Sequence, residues 1–123
     1  MRRVQITAGD VSATATLSTS PTADAIWKAL PIEGRANTWG EEIYFSIPVR
    51  VAEAPDAQEL VALGDLGYWP PGSAFCIFFG RTPGSGPNEI RPASAVNVFG
   101  HIEGDPKVFK AVASSAKVRI EQA

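Results

Sequence analysis

The sequence predicts a mainly β domain, a closed antiparallel barrel whose ends are capped by two short helices. Three observations carry this. Segments of strand periodicity follow one another along the 123-residue chain, about seven or eight in all. Two stretches, one early and one late, instead place apolar residues at helical spacing and need something to pack against. Between them runs Ala74-Phe-Cys-Ile-Phe-Phe79, apolar throughout. A strand with no polar face has apolar neighbours on both sides, which places it at the centre of a barrel or sandwich.

Val4, Ile6 and Ala8 alternate with Arg3, Gln5 and Thr7, and Val11, Ala13, Ala15 and Leu17 alternate with Ser and Thr. With Gly9-Asp10 as the turn, residues 3–18 read as a hairpin with one wet face. Ser20-Pro21 opens a helix, Ser as N-cap and Pro at the first helical position. Ala23, Ile26, Trp27 and Leu30 form its apolar stripe. Pro31 ends it, because a residue before proline avoids the helical region. Ile32–Trp39 and Glu42–Val51 read as a second strand pair turning at Gly40, with Ile43, Phe45 and Ile47 on one face. Residues 52–64 read as a connection with a helical turn at 58–62. Asp65-Leu-Gly-Tyr-Trp-Pro-Pro-Gly72 then places two aromatics on a Pro/Gly-bounded turn at the barrel rim, ahead of the apolar run. Residues 81–94, rich in Pro and Gly, form the longest irregular loop. Val96–Ile102 is a strand. Asp105-Pro106 repeats the cap-plus-Pro signal, and Phe109, Val112, Ala113 and Ala116 give the second helical stripe. Lys117–Glu121 alternates around Val118 and Ile120 and closes the chain as a strand.

One domain, residues 1–123, is the natural count for this length. The apolar fraction is 45% and the charged fraction 20%, ordinary for a globular protein. Thirteen acids against eleven bases give a net charge of −2 with no block of like charge, so a basic nucleic-acid face is not expected. No stretch approaches the length of a membrane span. The opening Met-Arg-Arg-Val-Gln-Ile lacks the unbroken apolar core of a signal peptide. Cys76 is the only cysteine and has no internal disulfide partner. A reducing cytoplasm is therefore the expected location.

The motifs resemble cyclophilin. Ala74-Phe-Cys-Ile-Phe-Phe-Gly80 is similar to the cyclophilin core strand beneath the active site. Val96-Asn-Val-Phe-Gly-His-Ile-Glu-Gly-Asp-Pro-Lys-Val-Phe-Lys-Ala-Val112 is similar to its strand–helix unit near the carboxyl end. A closer resemblance is to a compact prokaryotic cyclophilin-like family of uncharacterised function. It rests on Ser20-Pro-Thr-Ala23, Leu30-Pro-Ile-Glu-Gly34, Trp39-Gly-Glu-Glu-Ile-Tyr-Phe45, and Gly67-Tyr-Trp-Pro70 leading into Phe78-Phe-Gly-Arg-Thr-Pro83. The resemblance covers almost the whole chain and implies the fold. It implies activity weakly, because one fold hosts many functions. Prolyl isomerases of the fold carry a Phe-His-Arg triplet, a Gln-Gly-Gly segment and a His opening the strand that ends in Val-Phe-Gly. Here the triplet is missing, Ile43–Ile47 contains no Gln, and Val96 stands at the His position. His101 lies beyond Phe99-Gly100 and is not its equivalent. Arg35 lies roughly where the arginine strand belongs.

Each candidate residue has a plain alternative. Tyr68 and Trp69 either floor a ligand pocket, as aromatics with a polar tip do, or pack beneath a turn stiffened by Pro70 and Pro71. Trp39 is placed to line the same cleft. Glu41 and Glu42 are neighbours on a strand, point opposite ways, and read as separate surface charges. Asp65 beside the aromatic turn is the better carboxylate, and equally a turn former. Arg81 and Arg91 suit a carboxylate or phosphate, or are ordinary surface arginines. His101 has no ligand-type partners nearby in sequence, so no metal site is expected. Cys76 within an apolar run behaves as a small hydrophobe.

The expected function is binding of a small molecule or short peptide, without catalysis and without a cofactor. The expected cleft is built from Trp39, Asp65, Tyr68, Trp69 and Arg81. The anticipated ligand is amphipathic, its flat apolar part stacked on Trp69 and an acidic group beside Arg81. Prolyl cis–trans isomerisation is the alternative, and an accessory or regulatory domain beside a separate enzyme is a third. Oligomeric state is left open.

Overall fold

Alternation turns directly into strands at the amino terminus of this computed structural model, which describes residues 2–123. Strands β1 (Arg3–Ala8) and β2 (Val11–Leu17) pair antiparallel from Arg3–Thr16 to Ala8–Val11, and Gly9 takes the positive φ of +57° that the turn requires. Helix α1 (Pro21–Ala29) begins as the sequence predicts, with the Ser20 hydroxyl accepting from the Ala23 N–H at 3.2 Å. Ala23 and Ile26 are fully buried. Trp27 is only half-buried and lies beneath the Arg2 guanidinium, 5.6 Å from the ring centroid.

The remaining strands are β3 (Ile32–Arg35), β4 (Asn37–Thr38), β5 (Glu42–Ser46), β6 (Asp65–Trp69), β7 (Ala74–Phe78), β8 (Asn97–Ile102) and β9 (Lys117–Gln122). All join one antiparallel sheet in the order β3-β9-β1-β2-β8-β6-β7-β5-β4. Its two edge strands are consecutive in sequence across Ala36, so the sheet wraps into a nearly closed barrel. β3 and β5 approach so closely that a Cβ on Gly34 would lie 2.7 Å from the Phe45 ring.

Four expectations change. The single strand 32–39 is split: residues 32–35 pair with β9, and only 37–38 pair with β5. Strand β5 ends at Ser46, and residues 47–51 run on unpaired in the sheet. No helical turn forms at 58–62; isolated bridges Gln58–Val96 and Val61–Ile90 tie that connection to the loop before β8. The late helix is a 3₁₀ segment, Pro106–Ala111. Its buried residues are Pro106 and Phe109, and the cap residue Val112, three further on, is buried as well, while Ala113 is exposed. That is the 3₁₀ period, and it accounts for the stripe being read one residue too wide.

The barrel interior holds one apolar cluster in which Phe75 stacks on Phe45 (centroids 5.3 Å apart) and meets Phe99 edge-on at 5.1 Å. Strand β7 is buried on both faces, as its composition predicts. Phe75 and Ile77 face the interior, whereas Ala74, Cys76 and Phe78 join Val96 in a second cluster on the outer wall. That second cluster holds the candidate site.

Candidate functional site

On the outer face of β5-β7-β6, side chains alternate into a common layer. Register sets Glu42 against Phe78, Tyr44 against Cys76, and Trp69 against Ala74. Gly67 lies opposite Cys76 on the other side and adds no side chain; a Cβ there would come within 2.8 Å of Val96. The result is a cavity of about 300 Å³, floored by Cys76 and walled by Glu42, Tyr44 and Trp69, with Trp39 leaning in from the turn before β5. Pro92, Ala93 and Val96 close it from the segment ahead of β8.

The loop that supplies this cover is ordered by its own polar groups. The Ser85 hydroxyl accepts from the Thr82 and Arg91 N–H groups, both at 3.0 Å, and Thr82 donates to the Arg91 carbonyl. Glu89 receives the Gly86 N–H and the Arg91 Nε. Trp39 lies against this loop, and a Cβ on Gly84 would sit 3.4 Å from its ring. The Trp69 indole N–H donates to the Ser94 hydroxyl at 2.7 Å, which fixes the ring plane.

Glu42 is the chemically distinctive wall. The residue is 6% exposed, and its Oε1 is buried without a hydrogen-bond partner. Loss of hydration raises its pKa to about 7, with the Cys76 thiol drawing it partly back. The thiol is pushed well up, first by burial and then by the neighbouring carboxylate. It therefore stays protonated and is a poor nucleophile.

Of the residues expected to form the cleft, the structure brings together Trp39 and Trp69. Tyr68 is corrected: it and Trp69 are the end of a strand rather than a turn, so they face opposite ways. Tyr68 points into the barrel, fully buried, donating to the Val49 carbonyl at 2.7 Å. Asp65 is also elsewhere. Its carboxylate caps the turn through the Ala62 N–H at 2.8 Å and meets His101 Nδ1 at 3.1 Å. Arg81 lines a separate open groove with Glu41 and Lys107, and reaches the Ser85 carbonyl at 3.4 Å. The cavity lies on the barrel wall, not at its rim.

Sequence reasoning missed Glu42, Tyr44 and Cys76. Glu41 and Glu42 do diverge, but only Glu41 is at the surface, 3.5 Å from Lys107 and 3.4 Å from Lys110. The usable signal was β7 itself: a strand apolar on both faces needs cover on its outer side, and Glu42, paired with Phe78, falls beneath that cover.

The sequence matches the cyclophilin-like family over residues 2–121. The chain belongs to the cyclophilin-like family. The solution structure of the hypothetical protein AF2241 from Archaeoglobus fulgidus is similar at 42% identity and a TM-score of 0.84, over 99% of this chain and 95% of that one. The structure of McbB in complex with tryptophan shares the fold at 14% identity and a TM-score of 0.71, over 96% of this chain and 44% of McbB. No curated protein matches the sequence. Within this cyclophilin-like chain, Arg35 is exposed and hydrogen-bonds the Ser115 carbonyl, on the β3–β9 side of the barrel. Arg35 and His101 are both absent from the cavity lining. Among the described residues no cluster of His, Cys, Asp and Glu suits a metal ion, and no helix is long and apolar enough to cross a membrane.

Proposed function

We propose that this cyclophilin-like domain binds a small, flat, largely apolar molecule in the outer-wall cavity and does no chemistry on it. The observation that carries this reading is the unpartnered Oε1 of Glu42, buried in the wall of a cavity lined by aromatic rings. A buried polar atom without a partner is costly, and a bound donor removes that cost. The ligand therefore presents a hydrogen-bond donor or a positive charge to Glu42, where an acidic group beside Arg81 was expected from the sequence. Arg81 stands outside the cavity, and a second carboxylate beside Glu42 would be repelled.

Intrinsic tryptophan fluorescence and thermal shift against a panel of aromatic amines and amides test this, with indole and tryptophan as probes. Tryptophan enters as a probe only, since McbB shares the fold and little sequence. Ligands are expected to raise the melting temperature and perturb Trp emission. Trp69→Ala is expected to weaken them about tenfold or more, the loss of one stacking face and of apolar contact. Equal affinity for wild type and Trp69→Ala would remove this cavity as the site.

The isomerase alternative needs a cation and a donor set beside a bound X–Pro bond, and the cavity holds neither arginine nor histidine. In a coupled protease assay the protein is expected to leave the isomerisation of a proline peptide at its background rate. Acceleration abolished by Arg35→Ala would reverse that assignment.

A further inference from the structure

Resting on the reading of the outer-wall cavity as a ligand site, the geometry points to a methylated ammonium group, tertiary or quaternary, as the part of the ligand it selects. Three aromatic side chains reach the cavity from separate elements: Trp39 from the turn before β5, Tyr44 from β5, and Trp69 from the end of β6. Aromatic faces carry negative potential and attract a cation, most strongly once it has left water. The one charged side chain in the lining is Glu42, and it is acidic. No lysine, arginine or histidine lines the cavity to receive an anion.

The polar inventory then separates one kind of cation from another. A primary ammonium brings three N–H donors, and a guanidinium five. Each donor needs an acceptor when buried. Of the side-chain oxygens in the wall, the two of Glu42 and the Tyr44 hydroxyl, only Oε1 of Glu42 is fully buried without a partner; the Trp69 N–H is a donor already committed to Ser94. Pro92, Ala93 and Val96 complete the cover with apolar surface. A tertiary ammonium has a single N–H, which Oε1 of Glu42 accepts, and it leaves no further donor to satisfy. A quaternary one has no N–H, is weakly hydrated, and needs only aromatic faces and a nearby negative charge. A cavity of about 300 Å³ admits such a head group on a short stem.

The probes are choline, its tertiary analogue N,N-dimethylethanolamine, and 3,3-dimethylbutan-1-ol, the neutral carbon isostere of choline. Binding is measured by calorimetry and Trp fluorescence at about pH 8, above the folded-state pKa of Glu42. Choline and the tertiary amine are expected to bind about tenfold or more tightly than the isostere. Glu42→Gln is expected to erase most of that ratio, weakening the two cations far more than the neutral isostere. Trp69→Phe, which keeps an aromatic ring, is expected to weaken the cations by less than Trp69→Ala does. If indole binds and the isostere matches or exceeds choline, the ammonium inference falls and the ligand site stands. If neither indole nor any of the three probes binds the wild type, both fall.

Discussion

Between pH 4.5 and 8 the wild-type protein is expected to lose about 3 kcal/mol of stability that Glu42→Gln retains. The sign follows from burial. The carboxyl of Glu42 takes its proton up at about 7 in the folded chain, against 4.5 when hydrated. Below 4.5 it is protonated in both states and contributes nothing to the difference. As pH rises toward 7 the unfolded chain ionises freely, while the native chain must either hold the proton or place a charge among Trp, Tyr and Cys side chains. Native stability therefore falls through this window and levels off above about 7. At about 1.4 kcal/mol per pH unit, the rise from 4.5 to about 7 sets the size of the loss. Gln adds its own buried amide, whose cost does not depend on pH. The informative quantity is thus the change in the wild-type-minus-variant difference, read from urea melts at several pH values. Surface carboxylates such as Glu103, held near 2 by Arg3 and Thr16, titrate below the window. A difference flat from pH 4.5 to 8 would place the Glu42 carboxyl in water and remove the basis for the ligand reading as well.

Local pattern made most of the barrel legible. The 3–18 hairpin, α1, the two-sided strand β7 and the closing β9 each follow from alternation, capping or unbroken apolarity, and these signals act over neighbouring residues. What the sequence hides is relational. The segment 32–39 is extended as its pattern says, yet which half pairs with which strand depends on a closure visible only in three dimensions. Tyr68 and Trp69 are adjacent in sequence, and reading the strand end as a turn put them on one side, when alternation puts one in the core and one in the cavity. Pro70-Pro-Gly72 invited that reading. It forms a 3₁₀ turn, but only after the strand has ended. The loop over the site looked merely irregular, because the network joining Thr82, Ser85, Glu89 and Arg91 spans residues with no periodic signal. Glu42 was misplaced for a related reason: charge argues for the surface, and only the cover over the outer face of the adjacent strand overrides it.

Phe109→Ala is expected to cost about 3–5 kcal/mol, the largest loss from any single substitution considered at the barrel ends. The ring is fully buried within the main core, tilted against Phe79 with centroids 6.3 Å apart. It sits in the middle of the 3₁₀ segment, flanked at three-residue spacing by the buried Pro106 and Val112. Asp105 fixes the start of the segment by accepting the Lys107 N–H at 2.9 Å, which further limits collapse. Trp27 is the matched control at the other helix. The sequence assigned it the same role, but the structure leaves it half-buried with Arg2 over its face. Trp27→Ala therefore forfeits only part of a ring's burial and one exposed cation contact, roughly half the Phe109 loss or less. Chemical denaturation of the two variants beside wild type measures both. Equal losses would mean that the late segment packs no more tightly than α1. A Phe109→Ala loss well under 1 kcal/mol would show that the 3₁₀ segment frays from the barrel, taking with it the reason for its three-residue stripe.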